Sequence, residues 1–379
     1  MGSRFSRFVA PIDRDFFFDR YWGRQYLYVA RNSADYYDDI LRIEDLDVSL
    51  QSEQLPAAFV NVVADGVSYA EDEWSRIQKA ARGQVRVAIP DRLFALYQQG
   101  ATLILNQVHH ALPGLSLACR ELFVELGFPA RANIYITPPN SQGFSRHTDD
   151  HEIFILTLSG RKTFCLYPEG EQPAEIEVHA GDLLYLPRGL AHEARSSTFP
   201  SVHVSMGLQP LYGFHLVEEL AAMARQHPDF QTLVPHGAAR QSLKEAFGEE
   251  FFRRLREMTG DSMIETLASR RLRAAADRQG KGWPGRLHDL LRLDEMTGDT
   301  IIVARSGIVI YFEEDEKSVH VHFGGKQVTV PKFLKSSLAR VLDGNPVAVR
   351  EIPGLIPEQG KVDFARPFVE SGLVSLVKL

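Results

Sequence analysis

The sequence predicts a mainly β first half folded as a double-sheet jelly roll, then a helical stretch, then a small α+β domain. Three observations carry this prediction. Between Ala132 and Leu208, apolar runs of strand length recur between Gly and Pro, and no helix of ordinary length fits. From His215 to His227 apolar residues return at helical spacing, with Leu216, Leu220 and Met223 near one face, and helical runs continue around Phe247, Phe251, Leu255 and Leu267. Strand signals then resume over Thr300–Ala304, Gly307–Phe312, Val319–Phe323 and Lys326–Val330, followed by a helix over Pro331–Leu342 and a closing strand over Leu373–Val377. The boundaries fall at 1–210, 211–286 and 287–379.

The first half has its own order. Pro11 to Tyr21 reads as a helix start followed by aromatic packing residues, and Tyr26 to Ala30 as a strand. Asp35 to Asp47 is a short helix and turn. Phe59 to Ala64 and Gln84 to Val87 are strands. Asp91 to Gln98 is a helix opened by an N-cap type of residue. Gly100 introduces the strand Ala101–Leu105, and Leu112 to Leu126 is a helix stopped at Gly127. Strands Ala132–Thr137 and Ile153–Leu158 follow. Ser159-Gly160 then reads as a turn, and Lys162 as the start of a third strand.

Composition sets outer bounds. With 379 residues the chain is long enough for one large domain and one or two smaller ones. A net charge of −7 gives no global attraction to nucleic acid. No apolar run has the length of a membrane span, and the start of the chain has no hydrophobic signal core, so a cytoplasmic location is expected. The two cysteines, Cys119 and Cys165, read as small buried hydrophobes rather than a disulfide framework. Residues 240–286 carry 11 Lys/Arg against 7 Asp/Glu, which fits a solvated helix face or a mildly basic docking surface.

The chemistry concentrates in Asn133–Cys165 and Gly181–His192. His147 and Asp149 are two apart, so in extended backbone they aim a nitrogen and an oxygen to one side. A turn at Ala180-Gly181-Asp182 feeds the strand Leu183–Leu186, and Pro187 and Gly189 then position His192. Two histidines and one carboxylate form the ligand set of a non-haem Fe(II) oxygenase, with coordination positions left open. Zinc also fits these donors, and His151 is a competing ligand if the strand is regular. His203 reads as a residue that lines the pocket or packs.

The ordered pieces NIYITPP, SQGF, HTDDHEIF, LSGRK, GDLLYLPRGLAHEA and HVSMGL resemble the JmjC-type 2-oxoglutarate oxygenases, and more narrowly their ribosomal-oxygenase branch. The resemblance runs from PIDRDFFFDRYWGRQYLYV to about residue 210 and continues more loosely beyond. It implies a JmjC/cupin double-stranded β-helix, with iron held by His147, Asp149 and His192 and with 2-oxoglutarate and O2 as cosubstrates. It implies that Lys162 clamps the far carboxylate of 2-oxoglutarate, that Tyr135 donates its hydroxyl there, and that Asn133 lies near the metal-bound end. Ser205 is a further candidate for a cosubstrate hydrogen bond, while Arg161 alternates to the other face. The implied activity is hydroxylation of an arginyl or histidyl side chain of a ribosomal protein, a basic partner, with release of succinate and CO2. A homodimerising helical region and a winged-helix-like C-terminal domain are implied as well. Lys317, Lys326, Lys332, Lys335 and Arg340 in that domain are offset by Glu313, Glu314, Asp315 and Glu316, so direct nucleic-acid binding is not expected.

Two positions depart from the family pattern: Thr157, where Gln is usual, and Phe164, where Trp is common. They keep open an oxygenase that tailors a small peptide or a free amino acid. N-methyl-lysine demethylation is a further use of the same donor set, and a non-enzymatic metal-binding scaffold is another.

Overall fold

The apolar runs of the first half pair into antiparallel ladders. In the computed structural model of the chain, residues 4–141, 145–196, 198–231, 243–278, 282–354 and 356–377 are described. The first-half strands are β1 (Leu27–Val29), β2 (Val60–Ala64), β3 (Val67–Ser68), β4 (Ser75–Ala80), β5 (Gly83–Ala88), β6 (Thr102–Leu105), β7 (Ala130–Thr137), β8 (Glu152–Tyr167), β9 (Ala174–His179), β10 (Leu183–Leu186), β11 (Ala191–Arg195) and β12 (Ser201–Leu208). The main sheet runs β1-β10-β8-β12-β7-β6-β2-β3, and β4 and β5 form a separate hairpin. A smaller ladder places the far half of β8 between β9 and β11.

The long strand β8 corrects the sequence reading. Ile153–Leu158 and the run from Lys162 are not two strands joined by a turn; they are one 16-residue strand. Ser159-Gly160 is where this strand leaves the main sheet and enters the smaller one. Gly160 takes φ +71°, and a Cβ there would stand 1.8 Å from the carbonyl oxygen of Pro200. The dipeptide is turn-like in composition because the bend and the close approach both need glycine, not because the chain reverses.

The N-terminal flank packs on this sheet through aromatic rings. Asp13 caps the helix Arg14–Arg20 by accepting from the amides of Asp15 and Phe16 at 2.9 and 3.1 Å. The helix thereby presents Phe17 edge-on to Tyr185, with ring centroids 5.0 Å apart, and 5.9 Å from Phe154. Each such pair adds about 0.5–1.5 kcal/mol beyond its buried area. The helix over 90–98 begins with Pro90 in its first turn and Ile89 at the cap, so Asp91 lies inside that turn rather than at the cap. Helix Pro113–Leu126 ends at Gly127 in the left-handed conformation, as its sequence requires. Cys119 and Cys165 are both buried and free.

The chain forms two compact units: residues 1–209 with 279–379, and residues 210–278. The second is helical, with segments Gly213–Gln226, Leu243–Met258 and Asp261–Arg278. Arg271 donates to Glu219 at 2.8 Å, tying the last of these helices to the first. The side chain of Phe247 lies outside the described residues.

Within the first unit, the C-terminal part has its own core around Ile302, Val321, Phe323, Val349 and Phe368. It holds two three-stranded sheets. The predicted run Gly307–Phe312 becomes a strand only from Tyr311 to Glu314. A helix over Glu358–Ser371 was not predicted; it contains Pro367, which reads as a breaker in sequence. Lys332 and Lys335 both pair with Glu314, so these lysines are neutralised locally.

Candidate metal centre and cavity

His147 and His192 meet as an isolated antiparallel bridge. Asp149 follows two residues later, and its carbonyl accepts from the amide of Gly189 at 2.9 Å. Arg188 donates Nε to the carbonyl of Asp150 at 3.1 Å. The Pro187–Leu190 loop therefore grips the segment that carries Asp149 and delivers His192 in one construction. The turn before β10 is equally tied. Asp182 accepts from the hydroxyl of Tyr28, the amide of Arg31 and the amide of His179, each at 2.9 Å. Gly181, with φ +90°, leaves room for the carbonyl of Ser33.

The three side chains converge. Asp149 Oδ2 is 3.8 Å from His147 Nε2 and 3.5 Å from His192 Nε2. One donor atom from each residue lies within 4.8 Å of the others. The opposite ring nitrogens are anchored to backbone: His147 Nδ1 lies 2.9 Å from the carbonyl of Ser145, and His192 Nδ1 lies 3.0 Å from that of Leu190. Hydrogen bonding of Nδ1–H to a carbonyl puts the lone pair on Nε2, the atom that faces Asp149. Burial, and then the neighbouring His147, holds His192 below the ordinary histidine range, toward the neutral form a metal needs. Two imidazole nitrogens and one carboxylate with positions left over suit Fe(II). His151, the rival ligand, is not in this group. Its Nδ1 bonds Asp150 at 2.8 Å, and its ring packs where a Cβ on Gly207 would stand.

The triad opens on a cavity of about 610 Å³ between the main sheet and the smaller ladder. From the main sheet, β7 contributes Arg131, Asn133 and Tyr135, and β12 contributes His203, Ser205 and Gly207. The register places Tyr135 opposite His203 and Asn133 opposite Ser205. Lys162 and Phe164 enter from the far half of β8. All four predicted cosubstrate residues, Lys162, Tyr135, Asn133 and Ser205, therefore line the same cavity as the triad.

Lys162 is 3 % exposed and donates to Thr137 Oγ1 at 2.9 Å. Among the described residues no carboxylate pairs with it, and burial brings its ammonium down to about 7. Tyr135 stacks on His203 with centroids 4.9 Å apart and planes 3° from parallel. Burial, and then the charge of Asp149, push the Tyr135 hydroxyl up to about 12, so it remains a donor. Asn133 Oδ1 accepts from the amide of Gln107 at 2.9 Å. His203 is buried with no partner for Nδ1 among the described residues, and burial followed by the charge of Lys162 keeps it neutral. Arg161 faces outward, over the ring of Phe199 and near Glu177. Gln142–Phe144 of the SQGF piece lie outside the described residues. Sequence reasoning missed Thr137 as the partner of Lys162 and Arg131 at the cavity mouth. Inward alternation along β7 is the signal that would have found both.

Comparison with known proteins agrees with this geometry. The JmjC domain family matches residues 116–215, which hold the triad and the cavity strands. Ribosomal oxygenase 1 of Homo sapiens is 32 % identical over 210 residues, covering 50 % of this chain and 32 % of that protein. The bifunctional lysine-specific demethylase and histidyl-hydroxylase NO66 of Dictyostelium discoideum is 30 % identical over 219 residues, covering 52 % of this chain and 41 % of its own. The chain thus spans about a third to two-fifths of the length of these curated relatives. The ribosomal oxygenase YcfD of Escherichia coli shares the fold, with a TM-score of 0.58 at 15 % identity, over 97 % of this chain and 99 % of that one. Residues 116–215 of the chain match the JmjC domain family, and the chain as a whole shares the fold of the ribosomal oxygenase YcfD.

Proposed function

We propose that this protein is a 2-oxoglutarate- and Fe(II)-dependent oxygenase that hydroxylates an arginyl or histidyl side chain of a ribosomal protein, releasing succinate and CO2. The observation that carries the reading is one cavity with two complementary ends: an open His147–Asp149–His192 donor set, and a buried ammonium at Lys162 without a carboxylate partner among the described residues. A lysine buried in this way is costly unless an anion completes it, and the far carboxylate of 2-oxoglutarate is such an anion.

Fe(II), when bound, supplies the coupling of O2 to the oxidative decarboxylation of 2-oxoglutarate, the chemistry that puts one oxygen atom into an unactivated C–H bond. The protein's own part is orientation. Lys162 and the Tyr135 hydroxyl fix the far carboxylate. Asn133 and Ser205, level with each other across the β7–β12 ladder, orient the other end. Thr137 keeps the Lys162 ammonium aimed. Ile104, Ile153 and Ile155 give the cavity apolar wall that excludes water around the reacting carbon.

The names of the curated relatives support a ribosomal protein, a basic molecule, as the partner of this acidic chain. We place the protein in the cytoplasm with its substrate. Among the described residues no helix is long and apolar enough to cross a membrane. We also propose that the helical unit pairs two copies. Its helix Gly213–Gln226 has no buried residue and exposes Phe214 and Val217.

The test is mass spectrometry of ribosomal proteins from cells with and without the gene, followed by reconstitution. One protein should gain a single oxygen atom only when His147 is intact. Formaldehyde release from a methylated lysine would point instead to demethylation, and oxidation of a small peptide alone would remove the ribosomal assignment.

A further inference from the structure

The cavity is lopsided in charge. Among its described lining residues the one carboxylate is Asp149, which belongs to the metal triad. The basic side chains are Lys162, buried at the deep end, and Arg131, exposed at the mouth. Arg131 lines the cavity with Asn133 and Tyr135, the alternate residues of β7, and forms no ion pair among the described residues. Beside it the mouth offers neutral amides, Gln107 and Gln209, and the imidazole of His151. The nearby Asp150 is not part of the lining; its side chain is 87 % exposed and bonded to His151.

Hydroxylation requires the target carbon to stand beside the triad, which draws the head group of that side chain into the cavity. A guanidinium keeps its charge at any working pH and demands a carboxylate when it leaves water. Here Asp149 is committed to the metal and the far carboxylate of the cosubstrate to Lys162, so none remains. A guanidinium must also pass Arg131, a like charge. An imidazole ionises near 6.5, enters neutral, and is satisfied by hydroxyl and amide groups.

We infer that the cavity takes a neutral imidazole rather than a guanidinium, and that Arg131 is the specificity-determining residue that turns arginine away. The inference rests on the hydroxylase reading above and chooses within it.

The experiment has two arms, both with the full chain. In the first, ribosomal proteins from cells lacking the gene are treated with the purified protein, Fe(II) and 2-oxoglutarate, and the new oxygen is mapped by fragmentation. Oxygen on a histidine is expected. Oxygen on an arginine overturns the inference and leaves the hydroxylase reading standing; oxygen on no ribosomal protein overturns both.

In the second arm, a synthetic peptide spanning the modified histidine is compared with one carrying arginine there. The arginine peptide should have a kcat/KM lower by roughly 100-fold or more. Arg131→Glu should shrink that ratio by about tenfold, and Arg131→Gln should shrink it less, both with the melting temperature of the parent. A ratio unmoved in both folded variants overturns the role of Arg131.

Discussion

His147 and His192 each donate an amide hydrogen to the other's carbonyl, at 3.0 and 2.9 Å, so the two imidazoles project from one backbone bridge, with centroids 4.5 Å apart. Both ligand positions are thus set by main chain, and side-chain truncation removes a donor without removing the bridge. His192→Ala, and equally Asp149→Ala, should keep the parent melting profile and lose divalent-metal affinity by more than about 100-fold, read by equilibrium dialysis with Mn(II). Full 2-oxoglutarate turnover by His192→Ala would take that residue out of the centre.

Lys162→Ala should weaken 2-oxoglutarate binding by about ten- to a hundredfold, the worth of a hydrogen bond between charged partners, about 1.5–3 kcal/mol. Arg161→Ala, one residue away on the other face, should change it little. Titration of both variants is the check. Equal affinity for Lys162→Ala and parent would remove the clamp.

The same lysine predicts a pH effect. Its folded value is about 7 against an ordinary 10.5, so between these the unfolded chain holds the extra proton. The contribution of Lys162 to stability of the ligand-free protein therefore rises with pH across that window. Binding the dicarboxylate restores the proton, so 2-oxoglutarate affinity should fall by up to about tenfold per pH unit above 7. Calorimetry at pH 6.5 and 9 in buffers of different ionisation enthalpy should show much more proton uptake at the higher pH.

Gly160→Ala should be severe. The substitution meets the Pro200 carbonyl and a left-handed φ together, so a loss of about 3 kcal/mol or more is expected. Urea unfolding measures it. A variant as stable as the parent would mean that β8 can bend elsewhere.

Pairing through the helical unit predicts a mass near twice 42.7 kDa by light scattering at micromolar concentration. Charged replacement of Val217 should return it to the single-chain value. A single-chain mass in the parent would refute the pairing.

Much of this was legible in the sequence, because ligand types and alternation are local. His147, Asp149 and His192 announce themselves by donor chemistry, and Tyr135, Asn133 and Lys162 by the family resemblance of the strands that carry them. What stayed hidden depends on contacts distant in sequence. The bend at Gly160 is explained by Pro200, 40 residues later, so it read as a reversal. The helix over Glu358–Ser371 was masked by its own proline. Arg131 was passed over although it alternates with Asn133 and Tyr135 on β7, because Gln107, His151 and Gln209, which complete its surroundings, come from other parts of the chain.

Strand β8 carries Lys162 and, four residues on, Leu166, whose ladder partner is His192. Both ends of the cosubstrate are therefore referred to one uninterrupted peptide, whose rise is about 3.3 Å per residue. The strand works as a gauge of diacid length. A 2-oxo acid with one more methylene must buckle to reach both ends, and a single-residue insertion between Lys162 and Leu166 would turn the ammonium to the opposite face and put the gauge out of register.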